Sequence, residues 1–392
     1  MEARIVLQSD WSEVLRENEG EVWVCCKITG KPTVYGTLKC QGVSYDGIPE
    51  VTASEEFEVL EVSKKSIHVT CPAGNTSSKF LAPHTTFAGI HDKSVTCLDI
   101  SCGGGLGVST STDSTMKIWN CTNGDRRRDL IGHVYEVNCC RFFPSGMVVL
   151  SGGMDAQVKI WSCEDGTCPV TFKGHKGGIL DTAIVDRGRN VISCSRDGTA
   201  RLWDCGKSAC LAVVADCGAP VNGCSVGTAD NSINLGTPEQ PTSDREIGTQ
   251  DKLLLLARED NKLQGVGLQS RQPVFTFDGA DAFNCCTFLS CVSLVAGTQD
   301  GKIYKLDARC LRSPVQVIHR SGAPVHSLVP FREGFIVTQG DGSCFMIQQD
   351  LDHAIELTGP EADPVYKATS WGKSVFTCCR DGLVRKYQLS NL

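Results

Sequence analysis

The sequence predicts an all-β protein built as a ring of seven small sheets, with a small N-terminal α+β or β-rich domain. Two observations carry this prediction. A 42-residue segment occurs three times without a gap, and fainter copies continue toward the carboxyl end. Each copy contains short runs of β-branched and aromatic residues separated by turn-forming residues. A chain of 392 residues is long enough to bury such cores without disulfides.

The strongest evidence is a set of four residue types held in one register. Each copy has an aspartate followed six residues later by a tryptophan, with a histidine 22 residues and a glycine nine residues before the aspartate. The members, in the order His, Gly, Asp, Trp, are His91, Gly104, Asp113 and Trp119; His133, Gly146, Asp155 and Trp161; and His175, Gly188, Asp197 and Trp203. An internal period of this length predicts repeating units that pack against their neighbours.

Fainter copies of the aspartate turn bring the count of repeats to seven. They begin at Asp260, Asp300, Asp341 and Asp381, and they lack the tryptophan. The surplus length falls in the polar stretch 227–250, between the first and second strands of its repeat. We expect a mobile inserted loop there, on the side of the ring opposite the aspartate turns.

The second copy illustrates the strands within one repeat. Four are predicted, at residues 137–143, 147–151, 158–161 and 170–173. Four short strands per repeat, with Gly-His before them and Trp near the end, resemble the WD-repeat family from His91 to Tyr387. The fold that this resemblance implies is a seven-bladed WD-repeat β-propeller.

The resemblance also implies hydrogen-bonded tetrads inside the blades. In that family an aspartate holds a buried histidine, and a hydroxyl links the histidine to the tryptophan. The residues that match are His133, Ser151, Asp155 and Trp161 in one blade and His175, Ser193, Asp197 and Trp203 in the next. A His–Asp pair could instead be catalytic, but a pair that recurs at a fixed offset indicates a structural role.

Closure of the ring requires a strand from outside the last repeat. The seventh copy ends soon after Tyr387 and lacks an outer strand, whereas residues 80–90 resemble the outer strands that precede the other histidines. We therefore expect residues 80–90 to complete the last blade and to remove an open sheet edge. The predicted division is an N-terminal domain at 1–79 and a propeller at 80–392.

Residues 1–79 show both helix and strand signals. Asp10 and Glu13 have capping-box spacing and Gly20 is a stop signal, which predicts a helix over 10–19. Strands are predicted at 21–28, 33–40, 56–62 and 66–71. Trp11 and Trp23 are interpreted as core residues.

Composition excludes several classes of function. The net charge of −7 argues against a general nucleic-acid binder. No apolar run is long enough for a signal peptide or a membrane span, so we expect no membrane association. These features favour a cytoplasmic location, with the nucleus as a second compartment. We also expect a monomer.

The 23 cysteines are predicted to be thiols rather than disulfides or metal ligands. A reducing compartment keeps thiols reduced, and the sequence has no pair with the CxxC spacing of zinc sites. We interpret the cysteines as small buried hydrophobic residues. Cys97, Cys139 and Cys285 share one position in the first strands of their blades, where they are expected to be unreactive.

The sequence contains no motif typical of a catalytic site. The glycines at 103–107 fit neither GxGxxG nor a Walker loop, and neither GxSxG nor HExxH occurs. The prediction is that the protein is not an enzyme and uses no cofactor or metal. A propeller enzyme that uses its central channel is a disfavoured alternative.

A rigid disc of blades suits protein binding, and one face carries the candidate residues. This face is formed by the aspartate turns and by the loops that lead into the first strands. The exposed candidates there are Asp92, Tyr135, Met154, Lys176, Arg196, Glu259 and Arg380. Tyr, Met and Arg are enriched at protein interfaces.

Four strings, some of them outside any general WD pattern, resemble the proteasomal ATPase-associated factor family over nearly the whole chain. They are Asp46–Ser54, Ser78–Pro83, Gly174–Arg189 and Cys378–Arg385. The resemblance implies a non-catalytic chaperone that binds ATPase subunits of the proteasome regulatory particle. Such a chaperone would regulate assembly of the base and its association with the core particle.

Two other interpretations stay open. The protein could be a substrate receptor of a cullin-type ubiquitin ligase, or a generic propeller scaffold. Such receptors commonly carry Trp-Asp-x-Arg, and here the run Trp203–Gly206 lacks the arginine.

Overall fold

The computed structural model describes residues 3–239, 241–348 and 354–389. The N-terminal part begins with an antiparallel sheet in the order β1-β2-β3-β4. Its strands are β1 Ala3–Leu7, β2 Glu21–Ile28, β3 Val34–Val43 and β4 Pro49–Ala53. A helix, α1 Trp11–Val14, connects β1 to β2. Three further strands follow, with a 3₁₀ turn at Pro72–Gly74: β5 Glu58–Val62, β6 Ser66–Cys71 and β7 Thr76–Leu81.

The predicted helix over 10–19 is wrong in both length and cap. The helix ends at Val14, and the Asp10 side chain accepts a hydrogen bond from Gln8 Nε2 instead of capping the helix. Trp11 and Leu15 are buried whereas residues 16–19 are exposed, so only one helical turn has apolar contacts to stabilise it. Strand β1, which the sequence analysis did not predict, pairs with β2.

The first five blades each contain four consecutive antiparallel strands. Blade 1 consists of β9 Val95–Ile100, β10 Leu106–Ser111, β11 Met116–Asn120 and β12 Arg126–Asp129. Blade 2 consists of β13 Val137–Phe142, β14 Val148–Gly153, β15 Gln157–Ser162 and β16 Val170–Lys173. Blade 3 consists of β17 Ile179–Val185, β18 Asn190–Ser195, β19 Thr199–Asp204 and β20 Ala209–Asp216. Blade 4 consists of β21 Val221–Thr228, β22 Lys252–Arg258, β23 Lys262–Gly267 and β24 Pro273–Asp278. Blade 5 consists of β25 Phe283–Phe288, β26 Ser293–Thr298, β27 Lys302–Asp307 and β28 Gln316–His319.

The last two blades each pair with strands from the start of the chain. Blade 6 consists of β29 Val325–Phe331, β30 Gly334–Gln339, β31 Cys344–Gln348 and β32 Ala354–Leu357. Its outer strand β32 pairs in parallel with β7, so β5, β6 and β7 extend this sheet to seven strands. Blade 7 consists of β33 Val365–Trp371, β34 Ser374–Cys379 and β35 Val384–Gln388, followed by β8 Thr85–Phe87.

The seven blades form a closed ring, as expected for a WD-repeat propeller. The innermost strands contact one another in the cycle β9, β13, β17, β21, β25, β29, β33 and back to β9. Strand β8 lies within residues 80–90 and pairs with β35, where the sequence analysis placed a closing strand. The predicted boundary between residues 79 and 80 falls inside β7, so the N-terminal part is joined to blade 6 by continuous strand pairing.

The inserted segment lies between β21 and β22, as predicted, and two polar contacts connect it to blade 3. Arg245 forms an ion pair with the buried Asp204 at 3.2 Å, and the Ile247 backbone N–H donates to Asn190 Oδ1 at 2.7 Å. Both contacts attach the described part of the segment to blade 3, and its mobility stays a prediction. Among the described residues, no helix is long and apolar enough to span a membrane.

Candidate functional site

The aspartate turns and histidine loops of blades 2 and 3 are fixed by the predicted tetrads. In blade 2, Asp155 accepts from His133 Nδ1 at 2.9 Å, Nε2 of the same ring lies 2.8 Å from Ser151 Oγ, and Trp161 Nε1 donates to Ser151 Oγ at 2.7 Å. In the neutral tautomer whose Nδ1 proton faces the carboxylate, the Ser151 hydroxyl donates to Nε2 and accepts from the indole.

Blade 3 repeats this arrangement with a strongly held carboxylate. His175 bonds Asp197 and Ser193 at 2.8 Å each, and Trp203 Nε1 donates to Ser193 Oγ at 2.8 Å. Burial lowers the pKa of His175 despite the opposing effect of Asp197. Burial alone would raise the pKa of Asp197, but hydrogen bonds from Thr199, from the Lys176 backbone and from His175 hold it well below its usual range. This chemistry fits a structural link between a neutral imidazole and a carboxylate.

Blade 1 contains a third tetrad, which was not predicted from the sequence and in which Thr115 stands between the histidine and the aspartate. His91 Nδ1 lies 2.9 Å from Thr115 Oγ1, and that hydroxyl donates to Asp113, whose other oxygen is 3.9 Å from the ring. On the opposite side, Ser109 Oγ lies 2.8 Å from Nε2 and accepts from Trp119 Nε1 at 3.1 Å. This tetrad could have been predicted from Ser109, which stands 42 residues, one repeat length, before Ser151.

The remaining blades replace the histidine with a cation at the aspartate turn. The ion pairs are Arg258–Asp260 at 2.5 Å, Lys302–Asp300 at 2.6 Å, Arg385–Asp381 at 2.5 Å and Arg4–Asp341 at 3.5 Å. Arg258, Lys302 and Arg385 each lie in the same blade as the aspartate that they pair with, whereas Arg4 lies in β1 of the N-terminal sheet. The turn aspartates therefore have a donor in every blade, but the source of that donor differs.

The predicted partner-binding residues lie on the face formed by these turns, which we call the turn face. Six of them are exposed: Asp92, Tyr135, Lys176, Arg196, Glu259 and Arg380. Met154 is half-buried, since its sulfur lies beside Gly178 of the neighbouring blade. No described contact shows a partner on any of them, so their role stays a prediction.

The structure brings these residues into two groups rather than one. In the first group, the Met154 backbone N–H donates to the Glu136 carbonyl at 2.8 Å, which places Met154 beside the loop that contains Tyr135. The Met154 side chain also lies beside Gly178, which is in the same loop as Lys176. In the second, Ser94 Oγ donates to the Arg380 carbonyl at 2.7 Å, so Arg380 adjoins the loop that carries Asp92. Glu259 is separate from both, and its carboxylate accepts from Asn222.

Two apolar residues of the turn face were missed by the sequence analysis. Ile131 is 85% exposed and Val134 is 71% exposed, in the same loop as Tyr135 at 61%. Exposed side chains of this size in one short loop are typical of an interaction surface. The sequence feature that could have identified them is their position next to His133, in the loop that leads into the first strand of blade 2.

The central channel contains charged groups that serve to join blades. Asp99 accepts from the Phe142 backbone N–H at 2.8 Å, and Asp181 accepts from the Cys224 backbone N–H at 3.1 Å and pairs with Arg141 at 3.0 Å. Burial raises the pKa of Asp99. Burial would also raise the pKa of Asp181, but Arg141, Lys367 and the hydrogen bond from the Cys224 backbone together lower it. Asp99 thus links blade 1 to blade 2, and Asp181 links blade 3 to blades 2 and 4, around a cavity of about 160 Å³ that Lys367 also lines.

The cysteines are thiols, and most of them are buried or half-buried. The prediction of uniform burial is wrong for four of them: Cys102, Cys210, Cys291 and Cys310 are exposed. Burial raises the pKa of Cys285 to about 12, but a hydrogen bond with Cys140 lowers the pKa of Cys97 to about 7. Among the described residues, no group of three His, Cys, Asp or Glu side chains could hold a metal ion.

Comparison with known proteins agrees with the repeat and the ring. The family described as WD domain, G-beta repeat matches residues 83–120, 124–162 and 166–204. The chain is 72% identical to proteasomal ATPase-associated factor 1 of Homo sapiens and 70% identical to that of Gallus gallus, over 100% of each chain. It is 34% identical to a probable proteasomal ATPase-associated factor 1 of Dictyostelium discoideum, over 97% of this chain and 95% of the other. The chain therefore belongs to the proteasomal ATPase-associated factor family.

Proposed function

We propose that this protein is a non-catalytic chaperone that binds ATPase subunits of the proteasome regulatory particle through its turn face. The observation that carries the proposal is the exposed apolar loop of Ile131, Val134 and Tyr135 beside the loops of blade 3. Exposed aromatic and aliphatic side chains next to charged ones are typical of binding hot spots. The names of the full-length relatives supply the class of partner, proteasomal ATPases.

Blade 3 contributes a positive charge to this surface. Lys176 and Arg196 are exposed and have no acidic partner among the described residues. The backbone N–H of Lys176 donates to Asp197 at 2.8 Å, which holds its loop in one conformation. A fixed surface loses little entropy on binding, so shape and charge can select one ATPase domain among related ones.

The proposed action is temporary occupancy of ATPase surfaces. While bound, the chaperone would hold subcomplexes of the base and would hinder premature docking onto the core particle. Release would follow when a later subunit competes for an overlapping surface. The proposal places the protein in the cytoplasm and nucleus, as a monomer without a cofactor.

A binding assay with purified ATPase subunits tests the proposal. Arg196→Glu and Arg380→Glu should each reduce the bound fraction, and the double substitution Ile131→Ser with Val134→Ser should reduce it further. Arg127→Glu, an equal change of charge on the exposed outer strand β12, is the matched control and should bind normally. Equal melting temperatures would exclude unfolding, because all of these side chains are exposed.

Unchanged binding by all three turn-face variants would refute this face as the site. Quantitative mass spectrometry of the affinity-purified protein addresses the class of partner. We expect ATPase subunits without core-particle subunits. Recovery of cullin-ligase adaptors in their place would instead support a substrate receptor.

A further inference from the structure

A groove separates the N-terminal sheet from the rim of blade 6 and from the loop that joins blades 6 and 7. Its volume is about 530 Å³, within the range of sites that bind ligands and peptide side chains. One wall consists of residues 4–10 together with Trp23, and the other consists of residues 341–344 and 356–362. We call it the junction groove. It adjoins the turn face, because the aspartate turn of blade 6 and the loop that leads into blade 7 line it, but it contains none of the residues proposed to bind ATPase subunits.

The two walls of the junction groove are held together by polar contacts. Arg4 Nη2 donates to Ser343 Oγ at 2.5 Å, and the Arg4 guanidinium lies 3.5 Å from Asp341. Trp11 Nε1 donates to Thr358 Oγ1 at 2.9 Å. Because contacts at β1 and α1 both bridge the walls, the groove is preformed and needs little reorganisation to accept a ligand.

The groove has an excess of negative charge. Four carboxylates line it, and two of them are neutralised: Asp341 by Arg4 and Glu356 by the buried Arg320. The other two, Asp10 and Glu361, are exposed, and neither has a cationic partner among the described residues. Asp10 is oriented by a hydrogen bond from Gln8 Nε2 at 2.7 Å. Two uncompensated carboxylates at one groove favour a cationic ligand.

An exposed aromatic surface adjoins these carboxylates. Trp23 lines the groove and is 49% exposed, and its backbone N–H donates to Gln8 Oε1. In the register of β2 and β3, Trp23 lies opposite Thr37 and Cys25 lies opposite Tyr35, so Trp23 and Tyr35 share the outer face of the sheet. Tyr35 is 74% exposed. Indole and phenol faces of this kind attract guanidinium and ammonium groups.

We propose that the junction groove binds an extended basic segment of a partner protein. The wall formed by β1 is five residues long, about 16 Å, which matches a short peptide in extended conformation. Lysine or arginine side chains of this segment would lie on Trp23 and pair with Asp10 and Glu361. The proposal does not depend on ATPase binding at the turn face, and the segment can belong to the same partner or to another.

A peptide-binding measurement on the full chain tests this proposal. The probe is a fluorescently labelled, capped peptide of about eight residues that alternates arginine and serine. Its counterpart with glutamine in place of arginine is the neutral probe. We expect the arginine peptide to bind, the neutral peptide to bind at least about tenfold more weakly, and added salt to weaken the arginine peptide.

Three variants locate the site. The double substitution Asp10→Asn with Glu361→Gln and the single substitution Trp23→Ala should each weaken binding about fivefold, and Trp23→Phe should restore part of the loss. The matched controls are Glu50→Gln with Glu164→Gln, which changes the net charge equally at exposed positions outside the groove, and Tyr45→Ala. Both controls should bind as the unmodified protein does.

Each contrary result overturns the proposal in a defined way. If Glu50→Gln with Glu164→Gln weakened peptide binding as much as the groove variants do, the peptide would be responding to the net charge of −7 and not to the groove. Equal binding of the neutral peptide would refute a basic ligand, and no binding of the arginine peptide at millimolar concentration would refute the site. Because these readouts use no ATPase subunit, their failure leaves the proposed function untouched, and the reverse also holds.

Discussion

The guanidinium of Arg4, on the first strand of the chain, lies 3.5 Å from the carboxylate of Asp341 in blade 6. Asp341 occupies the turn position that Asp155 occupies in blade 2, where His133 is the donor. Blade 6 therefore obtains from the N-terminal sheet a contact that the regular blades make internally. Together with the pairing of β7 and β32, this contact makes the N-terminal part a component of the ring's rim.

Replacing Arg4 with methionine should loosen the N-terminal sheet from blade 6. Loss of a hydrogen-bonded, largely buried cation should cost about 1–2 kcal/mol locally, because Asp341 and Ser343 would lose their partner. Hydrogen exchange measured by mass spectrometry should become about tenfold faster in β1 and in residues 341–344. Lys31→Met, an exposed site in the same part, is the control. Unchanged exchange in both segments would contradict this attachment.

Removing the tryptophan or the hydroxyl of the blade 2 tetrad should destabilise the propeller. Trp161→Ala should lower the free energy of unfolding by about 3–5 kcal/mol, because a large buried side chain leaves a cavity. Ser151→Ala should lower it by about 1–3 kcal/mol, since both the imidazole and the indole lose a buried partner. Urea unfolding measures both, with the fully exposed Tyr45→Ala as control. Equal stability of the Ser151 variant would show that the tetrad hydrogen bonds contribute nothing net.

Stability should fall as the pH decreases below 6.5, and His91 should account for part of the loss. Burial, with a smaller effect of Lys117, lowers the pKa of His91 from 6.5 to about 4. Between pH 6.5 and about 4, the unfolded chain binds a proton at this histidine that the folded chain does not bind, so a lower pH favours unfolding. This one group should lower the free energy of unfolding by up to about 3 kcal/mol. Comparing urea unfolding at pH 7.5 and 4.5, His91→Gln should lose less stability than the unmodified protein. An equal loss would assign the effect to other groups.

Deleting residues 80–90 should open the ring. The deletion removes β8, which pairs with β35, and it removes Phe87, whose ring packs against Trp119 at 5.4 Å. The exposed edge of β35 would then be free to pair with other molecules. We expect aggregation in light scattering and loss of cooperative melting. A soluble monomer with one sharp transition would be incompatible with closure by this segment.

The parts of the fold that could be predicted are those that repeat. The register of His133, Asp155 and Trp161 identifies a blade because the same spacing occurs in three copies, and a fixed spacing is readable without coordinates. Blades 4–7 could be counted from their aspartate turns. Their cations could not be assigned, because each stands at a different offset from its aspartate: Arg258 two residues before, Lys302 two after and Arg385 four after.

The candidate binding surfaces were only partly predictable, because only residues beside the repeated positions could be placed from the sequence. Tyr135 and Arg196 could be placed on the turn face from their position beside the repeat. Trp23 was expected in the core, but it is half exposed, because β2 belongs to a sheet with one open face and the alternation of β2 does not say which face is buried. Ile131 and Val134 were overlooked because they lie outside the repeated residue types.

The sequence alone determined the architecture: periodic residues set the number and order of the blades and the internal bonds of blades 2 and 3, since each blade is built from contacts close in the chain. Tertiary structure decided everything that depends on contacts between distant segments. Arg4 reaches Ser343 across 339 positions, and Trp11 reaches Thr358 across 347. No local pattern encodes such pairs, because their proximity exists only after the ring has closed. The junction groove is formed by these contacts, so it could be found only in the folded molecule.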